Sequence, residues 1–88
     1  MLSPAYTKQF EKDIQRLIRR GTDICELKEV MVRLMNGEKV HGDYWDHVLP
    51  GSYRRHREVH IENDVLLLYK LSGTQIIFER TGADDDLF

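Results

Sequence analysis

Residues 54–64 read RRHREVHIEND, with three arginines, two histidines and an aspartate in one short run. Histidine gives and takes protons near neutral pH because its ordinary pKa is about 6.5. Arginine presents paired donors that match phosphate oxygens. Together these residue types suit acid–base chemistry on an anionic substrate. His56, His60 and Asp64 recur every four residues. On a helix they would share one face and could hold zinc. On a strand, a four-residue step spans about 13 Å, too far for two ligands of one metal. Val59, Ile61, Val65, Leu67 and Tyr69 favour strands, with a turn near Asn63. No metal and no cofactor is therefore expected. His56 reads as part of a solvated strand face. His60 and Asp64, at a strand end and a turn, read either as the same face or as an acid–base pair.

Arg54, Arg55 and Arg57 sit beside these groups. They either protect an edge strand by charge or clamp phosphate as RNA-binding residues. A second basic row, Lys8, Lys12, Arg16 and Arg20, follows at four-residue intervals. Like charges at this spacing repel, and Asp13 relieves part of that. The row is a solvated face unless an acidic partner or an RNA backbone meets it. Tyr44, Trp45 and Tyr53 either pin a loop or stack on bases. Cys25 reads as core. No Gly-rich phosphate loop, Ser–His–Asp signature or CxxC is present.

The elements that must position these groups follow from periodicity. Ser3-Pro4 can open a helix, and Met1–Ala5 can equally be a short strand. Tyr6, Phe10, Ile14, Leu17 and Ile18 form one helical stripe, ended by Gly21. A second helix starts at about Thr22 or Asp23, with Asp23 and Glu26 resembling a capping box. It buries Leu27, Val30, Met31 and Leu34 and ends at Asn36-Gly37. A short turn between the two predicts an antiparallel hairpin. Residues 38–52 lack periodicity and read as a loop. Tyr53–Ile61 alternates imperfectly, and Val65–Leu71 and Gln75–Arg80 read as strands. Helices followed by consecutive strands predict an α+β layer, a helical hairpin on an antiparallel sheet.

At 88 residues the chain has the length of a single domain, 1–88. Its 41% hydrophobic and 32% charged content suits a soluble globular protein. No run approaches the roughly 20 apolar residues of a membrane span, so no membrane partner is expected. No basic-then-apolar leader opens it, and one cysteine rules out an internal disulfide framework, so a cytoplasmic location is expected. The net charge of −2 hides an asymmetry. Residues 1–60 carry two surplus positive charges and 61–88 four surplus negative ones, ending in ADDDLF. Physical reasoning alone leaves function open between a nuclease and a binding module.

The run DHVLPGSYRRHREVHIENDVLLLYKL, followed by FERTGADDDLF, resembles the YafQ-like branch of RelE/ParE toxins. The family pattern runs approximately DHxLxGxWxxxRExHIxPDxLLIY, then RTGSHSDLF. The likeness spans nearly the whole chain. It implies the family fold, a short N-terminal strand, two helices, then antiparallel strands. It implies a ribosome-dependent mRNA endoribonuclease of a type II toxin–antitoxin system, cutting codons in the A site by 2′-hydroxyl attack without metal. The partners implied are a cognate antitoxin, the ribosome with A-site mRNA, and operator DNA through the antitoxin only. The matching positions are His47, His60, Asp64, Arg80 and Phe88, and Tyr53 stands where the family has Trp. Asp84 stands where the family has the histidine commonly assigned as proton donor. An aspartate, with an ordinary pKa near 3.9, is ionised at pH 7. Weakened cleavage is therefore expected, unless His47 or His60 supplies the proton. The alternatives are a catalytically silent module that still binds antitoxin and operator complex, and a ParE-like gyrase poison. The antitoxin is expected to dock near Arg54, Arg55 and Arg57.

Overall fold

The computed structural model describes residues 1–38, 45–48, 56–61 and 64–87. The first strand, β1 (Ser3–Tyr6), ends where Thr7 converts the chain into helix α1 (Lys8–Arg19). Thr7 Oγ1 accepts a hydrogen bond from the Phe10 amide at 2.9 Å and donates one to the Glu79 carbonyl at 2.8 Å. One hydroxyl thus caps the helix and pins its start to a distant strand. Of the two openings the sequence allowed, the strand is the one formed. Pro4, which cannot donate to a ladder, sits in an edge strand, where that costs least.

Helix α2 (Cys25–Met35) begins later than the Asp23–Glu26 capping box implied. Asp23 Oδ1 accepts from the Cys25 amide at 2.9 Å, so Asp23 caps from outside the first turn. Cys25 is therefore the first helical residue and is exposed, which corrects its reading as core. Its hydrogen bond to the Asp23 carboxylate, and that charge, push its pKa up, which disfavours the reactive thiolate.

Strands β2 (Trp45–Val48), β3 (Arg57–Ile61), β4 (Val65–Ser72) and β5 (Gln75–Gly82) follow, then a short helix α3 (Asp84–Leu87). Among the described residues the sheet has five strands in the order β1-β5-β4-β3-β2. β2 through β5 pair antiparallel, and β1 adds in parallel beside β5. β2 lies inside the stretch expected to be loop. Its four residues are too few to show a period, and pairing with β3 decides their conformation. The sequence also carried no sign of α3.

Both helices cover one face of the sheet. Phe10, Leu17, Leu27, Val30 and Leu34 meet Val59, Ile61, Val65, Leu67, Tyr69, Ile76 and Phe78 in one core. The Tyr6, Phe10 and Phe78 rings pack with centroids 5.7–5.8 Å apart. The helical stripe is narrower than its spacing suggested. Tyr6 belongs to β1, and Ile18 is half exposed. On the opposite face Leu66 and Leu68 are buried beneath Leu87 of α3.

Candidate active site

Strand alternation builds the site. In β3, Val59 and Ile61 enter the core, so Glu58 and His60 occupy the other face. There His60 Nε2 lies 2.6 Å from Glu58 Oε1. The two form an ion pair when the imidazole is protonated. Glu58 is buried and His60 is partly exposed. A buried carboxylate orienting a more accessible imidazole is the base-and-orienter arrangement of acid–base enzymes. Glu58 is the residue the sequence reading missed. Its signal was in REVH, because positions two apart on a strand share a face.

Asp64 turns the chain from β3 into β4 with φ 60°. Aspartate tolerates this left-handed conformation better than most residues. The turn brings Asp64 back to His60, and the two line a cleft of about 320 Å³ with Ile61 and Leu66.

The register ladder adds further groups. Trp45 pairs with His60 and His47 with Glu58, so the backbone of His47 is the direct neighbour of the Glu58 position. His60 pairs with Leu66, which pairs with Gly82, and Glu58 with Leu68, which pairs with Arg80. Arg80 reaches this row only through a bulge. The register shifts between Leu68 and Tyr69, leaving Glu79 as the extra residue on β5. Ile76 and Phe78 face the core, and uninterrupted alternation would have sent Arg80 there too. The bulge also turns Glu79 toward His56, with Nε2 and Oε1 3.4 Å apart.

The Arg80 guanidinium is tied to α1. Nε bonds Asp13 Oδ2 at 2.8 Å and Nη2 bonds Oδ1 at 3.2 Å. Asp13 is fully buried. It also accepts from the Thr81 amide at 3.1 Å and pairs with Arg16 at 3.0 Å. Here, past the end of β1, the helix carboxylate takes the place of a strand acceptor. Burial alone would raise the Asp13 pKa, but hydrogen bonds from Arg80, Thr81 and Gln9 outweigh it and hold the carboxyl below its ordinary value. Arg16 and Arg20 are not a free basic row either. Arg20 grips Asp86 of α3 through two bonds of 2.8 and 3.2 Å. The acidic partner of the row is in part the chain's own C-terminal segment. The cluster of Arg16, Arg20 and Arg80 against Asp13 and Asp86 still keeps one surplus positive charge.

Of the other candidate residues, Arg57 lies on the helix-side face, where its Nε donates to Tyr69 Oη at 3.2 Å. It lines a separate cleft with Leu2, Leu34 and Glu38. The structure does not bring it to His60. Asp84 begins α3, and its backbone position is what the structure describes. Tyr44, Tyr53, Arg54, Arg55 and Phe88 fall outside the described residues. Among the described residues, no helix is long and apolar enough to cross a membrane.

A family model described as the bacterial toxin of type II toxin–antitoxin system, YafQ, matches residues 2–88. The chain belongs to the YafQ toxin family. The mRNA interferase toxin YafQ of Escherichia coli strain K12 is 38% identical over 84 residues, covering 94% of this chain and 91% of the relative. The structure of YafQ from E. coli BL21(DE3) matches with TM-score 0.93 at 36% identity, covering 100% of this chain and 99% of that one. A chain of the E. coli DinJ–YafQ complex matches with TM-score 0.91 at 36% identity and the same coverage. The α+β architecture expected from the resemblance is thus the one formed among the described residues.

Proposed function

We propose that this YafQ-family chain is an mRNA endoribonuclease that cleaves RNA by attack of its own 2′-hydroxyl, without metal, on the ribosome. The observation that carries the reading is the Glu58–His60 pair beside the cleft shared with Asp64. The name of the E. coli relative, an mRNA interferase toxin, supports the same chemistry. In the reaction the 2′-oxygen loses its proton and bonds to phosphorus. The bond to the 5′-oxygen breaks, and that oxygen takes up a proton, leaving a 2′,3′-cyclic phosphate and a 5′-hydroxyl. His60, oriented by Glu58, exchanges the proton at the cleft, and Asp64 bonds the sugar or a catalytic water. The surplus positive charge around Arg80 favours the phosphorane, whose charge exceeds that of the starting diester. His47, neighbour of the Glu58 position, is the second proton carrier, and Phe88 orients a base. Asp84 cannot supply a proton while ionised, and it repels phosphate. Cleavage is therefore attenuated relative to a chain with histidine there.

The proposed partners are a cognate antitoxin, the ribosome with its A-site mRNA, and operator DNA through the antitoxin. The antitoxin partner is supported by the DinJ–YafQ complex among the structural neighbours. The second reading, a silent module that binds antitoxin without cutting RNA, rests on Asp84 alone. Growth after induction in bacteria lacking antitoxin separates them, with the native chain and Asp84→His compared. Arrest by Asp84→His alone means an intact site silenced at its acid. Arrest by both means His60 or His47 carries the proton. Two soluble chains that leave growth unaffected would overturn the ribonuclease reading.

A further inference from the structure

α3 is only four residues long, too short to hold its own shape in water. It is nevertheless fixed at three points besides the Arg80 Nη2 bond to the Asp86 carbonyl at 3.4 Å. Leu87 is buried on Leu66 and Leu68. Asp86 Oδ2 accepts from the Ala83 amide at 3.0 Å, closing the first turn. The third point comes from across the molecule, where Arg20 at the C-terminal end of α1 holds both Asp86 oxygens, with Arg16 Nη2 3.8 Å from one of them. Gly82 makes this approach possible. Its φ of 150° suits glycine, and a Cβ there would stand 2.7 Å from Arg16 Nη2.

The place where α3 is held matters for the site. Leu66 and Leu68 are the register partners of His60 and Glu58. Leu87 therefore seats α3 on the His60 face, above β5 and the β4 leucines that lie beside the His60–Glu58 row. Residue 84 lies at the start of α3, within the turn that Asp86 closes.

We propose that Arg20 is a positioning residue for RNA cleavage. By gripping Asp86 it sets α3, and with it residue 84, against the His60 face. This inference rests on the ribonuclease reading above. It gives the C-terminal end of α1 an internal task, although Arg20 itself is solvent-exposed and stands on the outer side of the cluster. The Arg20–Asp86 contact is bidentate, so it fixes orientation as well as distance. Without Arg20, α3 would keep Leu87 and the single long Arg80 bond to the Asp86 carbonyl, which hold its place more than its roll.

The test uses the full chain carrying Asp84→His, so that residue 84 is a group whose placement the rate can report. Arg20→Glu and Arg20→Lys are added to it separately. Cleavage of mRNA on translating ribosomes gives kcat and KM, and amide hydrogen exchange follows residues 85–87. Arg20→Glu is expected to lower kcat about tenfold to a hundredfold with KM unchanged, because a misplaced reacting group costs that order of rate. Exchange at 85–87 is expected to quicken while β3 and β4 keep their protection. Arg20→Lys, which keeps the charge but loses the paired donors, is expected to recover only part of both. An active Asp84→His chain whose Arg20→Glu variant keeps full kcat would overturn the inference alone. So would a fall in kcat accompanied by equal loss of protection throughout the sheet, since that is loss of fold. A folded Asp84→His chain that cuts no RNA would overturn the ribonuclease reading and the inference with it.

Discussion

His60 and Glu58 stand two residues apart on β3, with imidazole nitrogen and carboxylate oxygen 2.6 Å from one another. The contact joins an accessible proton carrier to a buried charge. A neutral group in place of the carboxylate would take from the ring the charge beside it. In the Asp84→His chain, His60→Ala should lower the cleavage rate by about 10²- to 10⁴-fold, the usual worth of an acid–base group. Glu58→Gln should lower it less, and the double variant should fall no further than His60→Ala. Rates of mRNA cleavage for the three variants check this. Additive losses would mean that Glu58 acts independently of His60.

Asp64 can be separated into backbone and carboxylate roles because its φ is 60°. Asn accepts that conformation, so Asp64→Asn should keep the melting temperature while cleavage falls. Asp64→Val should cost about 1–2 kcal/mol in urea unfolding, the price of a left-handed conformation in an ordinary residue. A stable, fully active Asp64→Asn would remove the carboxylate from the mechanism.

Asp13 answers to two arginines and a backbone amide from a fully buried position. Removing it takes the acceptor from the Thr81 amide and the nearest carboxylate from both arginines. Asp13→Ala should destabilise the fold by about 3 kcal/mol, read from denaturant midpoints at constant slope. A loss below about 1 kcal/mol would show that water replaces the carboxylate easily.

Stability should also fall in acid. The Asp13 and Asp86 carboxyls are both held below their ordinary value of 3.8, Asp13 by bonds that overcome its burial and Asp86 foremost by Arg20. A depressed folded pKa means the unfolded chain binds protons first. The contribution is therefore fully present above about pH 4 and disappears as pH drops through the folded values. Melting temperatures between pH 2 and 6 check the sign. Asp13→Asn should show a lower plateau and a shallower acid decline, since the amide does not titrate.

The sequence alone determined most of the layering. Phe10, Leu17, Leu27, Val30 and Leu34 fall at helical spacing, and each is buried. Val59, Leu67 and Phe78 could be assigned to strands because β-branched, aromatic and aliphatic residues clustered between turn signals. These patterns are local, and burial of one face is a local demand that periodicity records. The quoted motifs also led to the YafQ family, and 46–71 and 78–88 lie within the matched residues.

Tertiary structure decided what depends on a partner strand or a distant charge. β2 has too few residues to declare itself and exists through its ladder with β3. The bulge at Glu79 turns Arg80 away from the core, although Ile76, Phe78 and Arg80 alternate without a break in sequence. The basic row of α1 looked like an open surface until Asp13 drew in Arg16 and Arg80, and Asp86 drew in Arg20. Asp13 and Arg80 are 67 positions apart, and Arg20 and Asp86 are 66. No local period carries information over such separations, because those pairs form only once α1 is laid along the edge of β5.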